Sequence, residues 1–334
     1  MIKKNTALIV TVLIFSMILI GQALAYWAVP YKYGADAEID ADGVEYSVSS
    51  NSSVNYTVLA YDEARPVGKL YVYYDESYAV QGTTHKEQKA FNSQMVAELR
   101  IRGFTDTEVI NADKLSDIVS SYKAGDAILI TSGVLPKDVY DGDTNFKIFD
   151  WVNDGGSLYW MGYAIGAKYA DGKTLMDAPA DHQQKIFGVA AGVDCILMEN
   201  ERPTKASDNE LREALMLTHA GIMYGMNVTA TGALSLGFEF ESVSDDIYSS
   251  ISLFESGDGM ICVMGRINDN PVRMSMAQVI ASGVSPSSEL IGIDSGSLIR
   301  GGCATGTISW STPKTDVAVM ITMGSPNIVY ARTF

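Results

Sequence analysis

Cysteine is nearly absent from this chain of 334 residues, which has only Cys195, Cys262 and Cys303. Three thiols so widely spaced argue against a metal ribbon or a disulfide framework, and leave open one disulfide plus one buried thiol. Cys262 lies in the apolar run Met260-Ile261-Cys262-Val263-Met264, where a thiol behaves as a small hydrophobe. Histidine is as scarce, with His85, His182 and His219. Asp181-His182 sets a carboxylate beside an imidazole, but adjacent residues rarely point at one another and no Gly-x-Ser-x-Gly elbow accompanies them. A surface loop histidine is therefore expected at 182, and a partly buried helical one at 219. Basic side chains also run short: 24 Lys and Arg stand against 40 Asp and Glu, a formal net charge of −16. That balance argues against nucleic acid and anionic lipid as partners. The acids are spread along the chain, as on a solvated, self-repelling surface. Internal repeats and low-complexity blocks are missing as well.

What is present is one uncharged apolar run, Ala7 to Val29, behind Lys3 and Lys4 and broken only by Thr11, Ser16, Gly21 and Gln22. Roughly 20 apolar residues cross a hydrocarbon core as a helix, and lysines ahead of the run favour an N-in, C-out orientation. Ala23-Leu24-Ala25 also fits a signal cleavage site, with cutting before Tyr26. The aromatics Tyr26, Trp27, Tyr31 and Tyr33 suit a membrane interface and favour a retained anchor. Both readings place the bulk of the chain outside a cell membrane, as a single-pass protein or as one secreted after Ala25. Asn51, Asn55 and Asn227 open glycosylation sequons and are candidate acceptors.

Between Ala35 and Tyr61 alternating patterns around Asp42-Gly43 predict a β-hairpin stalk. Strand and helix patterns then alternate, which predicts a parallel sheet with crossover helices. The expected elements are a strand at Lys69–Tyr74, a helix at His85–Arg102, a strand at Glu108–Ile110, a helix capped by Asp113, a strand at Asp126–Thr131, a helix at Asn145–Asn153 and a strand at Ser157–Met161. Further on, a helix is expected over Asp208–Met223 and strands at Ala233–Glu241, Tyr248–Phe254 and Met260–Arg266. After a helix at Met274–Ala281 come strands at Thr305–Trp310, Val317–Thr322 and Asn327–Ala331. The expected division is 1–33 anchor or signal, 34–66 stalk, 67–283 α/β domain and 284–334 β-rich extension.

The segment Ala127-Ile128-Leu129-Ile130-Thr131-Ser132-Gly133, the helix ending Phe149-Asp150-Trp151-Val152-Asn153-Asp154-Gly155-Gly156 and the strand Ser157-Leu158-Tyr159-Trp160-Met161-Gly162 resemble the class I glutamine amidotransferase-like superfamily, a flavodoxin-like α/β fold. The resemblance implies a nucleophile on the elbow after the last strand. Where catalytic relatives have Gly-x-Cys-x-x-Gly, this chain has Gly162-Tyr163-Ala164-Ile165-Gly166, and it lacks their late His-x-Glu pair. A phenol with a pKa of about 10 is a poor acyl-transfer nucleophile. The resemblance, so altered, implies a non-catalytic member exported from the cytoplasm: an anchored binding or scaffold protein of the cell envelope, with a glycan or protein partner. It implies no cofactor.

Open parallel sheets bind ligands at the carboxyl ends of their strands, which makes Asp75, Glu76, Ser77, Ser132, Gly133, Gly162 and Tyr163 the candidate contacts. The alternative is an extracytoplasmic hydrolase or carbohydrate-active enzyme using a carboxylate such as Asp75, Glu76 or Glu239. A sensing subunit of a larger complex is a third possibility. The acidic stretch Asp138, Asp141, Asp143, Asp150, Asp154 lacks EF-hand spacing and reads as turn-forming. Gly301-Gly302-Cys303-Ala304-Thr305-Gly306 lacks the lysine and helix of a phosphate loop and reads as a turn.

Overall fold

The computed structural model describes residues 32–75, 84–121, 123, 125–162, 164–189, 205–217, 225–241, 245–264, 270–324 and 328–333. Among these no helix is long and apolar enough to cross a membrane. The run Ala7–Val29, Glu76, Ser77, Tyr163, Cys195 and His219 lie outside them.

The protein begins with three strands, β1 (Tyr33–Asp40), β2 (Gly43–Ser50) and β3 (Val54–Tyr61), and enters an α/β body with β4 (Leu70–Tyr73). Next come a helix at His85–Ile101, β5 (Glu108–Ile110), a helix at Ala112–Val119, β6 (Ala127–Ile130) and β7 (Leu135–Pro136). A helix at Lys147–Asn153 precedes β8 (Ser157–Met161), which is followed by the hairpin of β9 (Lys168–Asp171) and β10 (Thr174–Asp177). Strand Gly259–Met264 joins β8 in parallel, so five parallel strands run in the order β5, β4, β6, β8, Gly259–Met264. Strands Ile251–Ser256 and Leu234–Ser235 extend that sheet antiparallel.

Both faces of this sheet are covered, so its strands read as unbroken apolar runs. Leu70, Val72, Leu129, Tyr159 and Cys262 pack against Phe91, Met95 and Leu99 of one helix and Met276 and Ile280 of the helix Asn270–Ser282. Tyr71, Tyr73, Ile128, Ile130 and Trp160 pack on the opposite face against Leu115, Ile118, Phe149 and Trp151. Burial pushes the Cys262 thiol up to about 12, so it is an inert core residue, whereas Cys303 is exposed. The first long helix starts where Thr84 and Glu87 form a reciprocal capping box.

The strands assigned from sequence to a stalk and to a C-terminal extension pair with one another. Cys303–Ser309 pairs with β2, while β3 lies between Leu290–Leu298 and Ala318–Met323, the latter continued by Ile328–Thr333. Val44, Tyr46, Val58, Val319 and Ile321 fill the space between these two sheets. Leu59, Tyr61, Ala318 and Met320 point the other way, into the core under the α/β helices.

Three expected elements differ. Of the helix expected over Asp208–Met223, the described residues form Glu210–Ala214, which ends before Met216 at φ +56°; residues 218–223 lie outside the described residues. The single strand Ala233–Glu241 is two strands in different sheets. Gly237 sits at the break, where a Cβ would come within 2.2 Å of the Ser250 hydroxyl. The helix expected to be capped by Asp113 is capped by Asn111, whose side chain accepts the Lys114 N–H.

Candidate functional site at the strand ends

The chain leaves β4 for β5 on one side and returns to β6 on the other, so the strand order reverses between β4 and β6. Diverging connections leave a crevice at the carboxyl ends there. Asp75 stands at that point, only 7% exposed. Its backbone N–H donates to the Ser132 hydroxyl at 3.0 Å, and the Tyr73 hydroxyl donates to its carboxylate at 3.0 Å. Behind it the Thr131 hydroxyl donates to the Tyr73 carbonyl at 3.2 Å and Gln88 donates to the Thr131 carbonyl at 3.0 Å. The buried ends of β4 and β6 are thereby tied to each other and to the helix His85–Ile101.

A cavity of about 330 Å³ opens over this point. Tyr73, Tyr74 and Asp75 line it from the end of β4, and Asn111 and Asp113 from the end of β5. The third wall comes from two short parallel strands, β7 and β9, paired through Leu135 with Tyr169 and Pro136 with Ala170. They bring Lys137, Asp138 and Asp171 to the rim. Lys137 and Asp171 form an ion pair at 2.6 Å, which holds the lysine pKa above its usual value.

Gly162 explains how the loops after β6 and β8 come together. It has φ +112°, and a Cβ there would lie 2.8 Å from the Gly133 nitrogen and the Ser132 carbonyl carbon. Of the contacts expected from sequence, Asp75, Ser132, Gly133 and Gly162 are thus neighbours. Only Asp75 lines the cavity; Ser132, Gly133 and Gly162 are buried beneath. Asn111 had a usable sequence signal, since it directly follows a strand. Asp138 stood out only as part of the acidic stretch, and Lys137 and Asp171 had no signal, because two-residue pairings leave no periodicity.

Glu239 is not part of this crevice. It lies on strand Phe238–Glu241 of a four-stranded sheet, 3.9 Å from Lys205. His182 is buried at the start of the helix His182–Phe187, not in a surface loop. Its Nδ1 lies 2.7 Å from the Pro179 carbonyl, while Asp181 pairs with Lys185 instead of orienting the ring. Burial lowers the His182 pKa, against the Pro179 carbonyl and Asp181, which raise it; Nδ1 faces a carbonyl and so acts as the donor there. Asn227 is 2% exposed and uses its carboxamide to cap the next turn, which leaves no room for a glycan; Asn51 and Asn55 are more accessible.

Among the described residues no group of three or more His, Cys, Asp or Glu side chains is arranged to hold a metal ion. The acidic stretch does form a turn. The Asp141 carboxylate accepts the backbone N–H groups of Asp143, Thr144 and Asn145 and the Thr144 hydroxyl. Burial would raise its pKa, but these donors prevail and hold it at about 2. The pKa is depressed in the folded state, so the stabilisation is complete above the unfolded value, 3.8, and is lost as pH falls through about 2. Asp141→Ala is expected to cost about 1 kcal/mol at pH 7, as for lost caps. The gap from wild type should narrow between pH 4 and pH 2 in urea titrations; a gap independent of pH would contradict this account.

No family model matches this chain, and no curated protein matches it. Among solved structures it is similar to a β-galactosidase from Rahnella sp. R3, at 15% identity and a TM-score of 0.42, covering 74% of this chain and 41% of that one. An exo-β-1,4-mannosidase from Opitutaceae bacterium strain TAV5 gives 13% identity and a TM-score of 0.34, covering 63% of this chain and 32% of that one. A β-galactosidase from Halorubrum lacusprofundi gives 14% and 0.38, covering 78% of this chain and 35% of that one. The chain therefore spans well under half the length of these proteins, and likeness at this level assigns it neither an activity nor a substrate.

The comparisons do not bear out the resemblance to glutamine amidotransferase-like proteins: the solved structures found similar are named as glycosidases. The physical reason lies in what carried it. Gly155 takes φ +115°, and a Cβ on Gly156 would lie 2.4 Å from the Trp151 ring. The double glycine therefore reports a tight helix-to-strand turn, which any wound parallel sheet can need. The non-catalytic envelope scaffold, inferred from a nucleophile missing relative to the amidotransferases, loses its basis with that resemblance.

Proposed function

We propose that this chain is a carbohydrate-active hydrolase whose sugar site is the crevice at the ends of β4 and β5. The observation that carries this reading is the setting of Asp75. A nearly buried carboxylate, fixed by the Tyr73 hydroxyl, faces a cavity with Asp113 and Asp138 on its rim and Tyr74 in its wall. Glycosidic bonds are cleaved between two carboxyl groups, one donating a proton and one activating water or attacking directly. Aromatic rings meanwhile offer flat apolar surface to the C–H faces of a sugar ring. A volume of about 330 Å³ is at the small end for ligand sites and suits a single sugar unit.

Asp75, with the fixed position, takes the role nearest the scissile bond, and Asp113 or Asp138 supplies the second carboxyl. The apolar run Ala7–Val29 supports export, so the substrate is proposed to be an extracellular glycan. The test is hydrolysis of a panel of α- and β-linked nitrophenyl hexosides and disaccharides. Asp75→Asn should lower kcat by about 10²–10³-fold, within the usual range for a general acid or base, with KM and thermal midpoint little changed. A wild-type protein that turns over no member of the panel would rule out the hydrolase reading.

A further inference from the structure

The charge lining the crevice is strongly one-sided. Lys137 is the one basic residue among the described lining residues, and it is engaged by Asp171 at 2.6 Å. Asp75, Asp113 and Asp138 add three more carboxylates to the same cavity. Asp113 and Asp138 are exposed on the rim, whereas Asp75 is 7% exposed on the floor. A sugar entering here meets negative charge at the mouth and at the base. Around the site the chain as a whole carries −16, which draws cations toward it and repels anions.

A bound uronic acid would place a further carboxylate among four, against Lys137, which is already paired, and Lys147, which donates to the Asp138 carbonyl at 3.2 Å beside the lining. A neutral hexose would be tolerated. A sugar bearing an ammonium group would find acceptors, because a concave site partly shielded from water strengthens such attraction. Resting on the carbohydrate reading above, we propose that the crevice selects amino sugars, glycan units with a cationic nitrogen, over neutral and acidic ones. Asp113 and Asp138 are the specificity-determining residues, and the Lys137–Asp171 pair keeps the lysine from cancelling them.

The test is NMR titration of the full chain at pH 6 with glucosamine, glucose, N-acetylglucosamine and glucuronate. Glucosamine should bind about tenfold more tightly than glucose, as expected for one or two partly shielded ion pairs. N-acetylglucosamine, which has the nitrogen without the charge, should behave like glucose, and glucuronate should bind most weakly. The glucosamine advantage should fall to about twofold in 0.5 M NaCl, where charges are screened within a few ångströms, and likewise in Asp113→Asn/Asp138→Asn. Equal binding of glucosamine and glucose, tighter binding of glucuronate, or an advantage that survives the double substitution would overturn the proposal while leaving a sugar site in place. Absence of binding and turnover for every sugar, charged or not, would instead remove the carbohydrate reading itself.

Discussion

Gly162→Ala is expected to destabilise the protein by about 3–5 kcal/mol, the sum of backbone strain and overpacking at a position that cannot relax. Gly162 has φ +112°, which lies beyond the left-handed region that other residues occasionally use. The added methyl would meet backbone, not a side chain that could swing away: the Gly133 nitrogen and the Ser132 carbonyl carbon, both at 2.8 Å. Either the loop after β6 moves or the loop after β8 does. The first option carries the Ser132 hydroxyl away from the Asp75 N–H, so the crevice floor should loosen along with the fold. Gly172→Ala is the control. Gly172 has φ +60° at the tip of the β9–β10 hairpin with nothing within 4 Å, and the change there should cost only the left-handed penalty of about 1–2 kcal/mol. Urea unfolding distinguishes the two, with the midpoint falling much further for Gly162→Ala at an unchanged slope. A loss at Gly162 no larger than at Gly172 would mean that the two strand-end loops are not in the contact described.

The parts of the fold that were legible in the sequence are those whose signal is local. Ala127–Ile130 and Ser157–Met161 are buried on both faces, so they stand out as short apolar runs between turn residues. The strand Leu290–Leu298 was invisible for the opposite reason. It is an edge strand reading Leu-Ile-Gly-Ile-Asp-Ser-Gly-Ser-Leu, half exposed along most of its length. Its glycines serve residues far away in sequence. A Cβ on Gly296 would lie 2.6 Å from the Tyr56 hydroxyl, and one on Gly292 would lie 2.2 Å from Ile308. Such spacing makes sense only after β3 and Cys303–Ser309 are in place.

The site divides in the same way. Asp75 and Ser132 could be found because they directly follow strands that the sequence announces. Lys137, Asp138 and Asp171 arrive through β7 and β9, whose pairing rests on two residue pairs. Glu239 lies within the strand Phe238–Glu241, so unlike Asp75 it does not follow the end of a parallel strand. That strand belongs to another sheet.

Arg102→Ala should cost about 2–4 kcal/mol, as expected when one partner of a buried ion pair is removed. The Arg102 side chain is 1% exposed and donates to the Glu98 carboxylate at 2.6 Å, to the Glu98 carbonyl at 3.1 Å and to Gln278 at 3.3 Å. Glu98 also lies 3.5 Å from Arg273, so one carboxylate joins the helix His85–Ile101 to the helix Asn270–Ser282. Deleting Arg102 leaves Glu98 with a single, longer-range cation and leaves the Gln278 acceptor facing the gap. Arg273 and the 21% exposure of the Glu98 side chain keep the penalty below that of a fully orphaned charge. Arg102→Met refines the expectation, since it keeps much of the apolar stem and fills the space, and should recover part of the loss seen with alanine. Combining Arg102→Ala with Glu98→Gln should then cost less than the sum of the single changes, by about 1 kcal/mol or more, because the pair acts as a unit. Strict additivity in the thermal or urea data would show that the two helices are held by Met95, Leu99 and Met276 in the shared core, with the ion pair adding nothing.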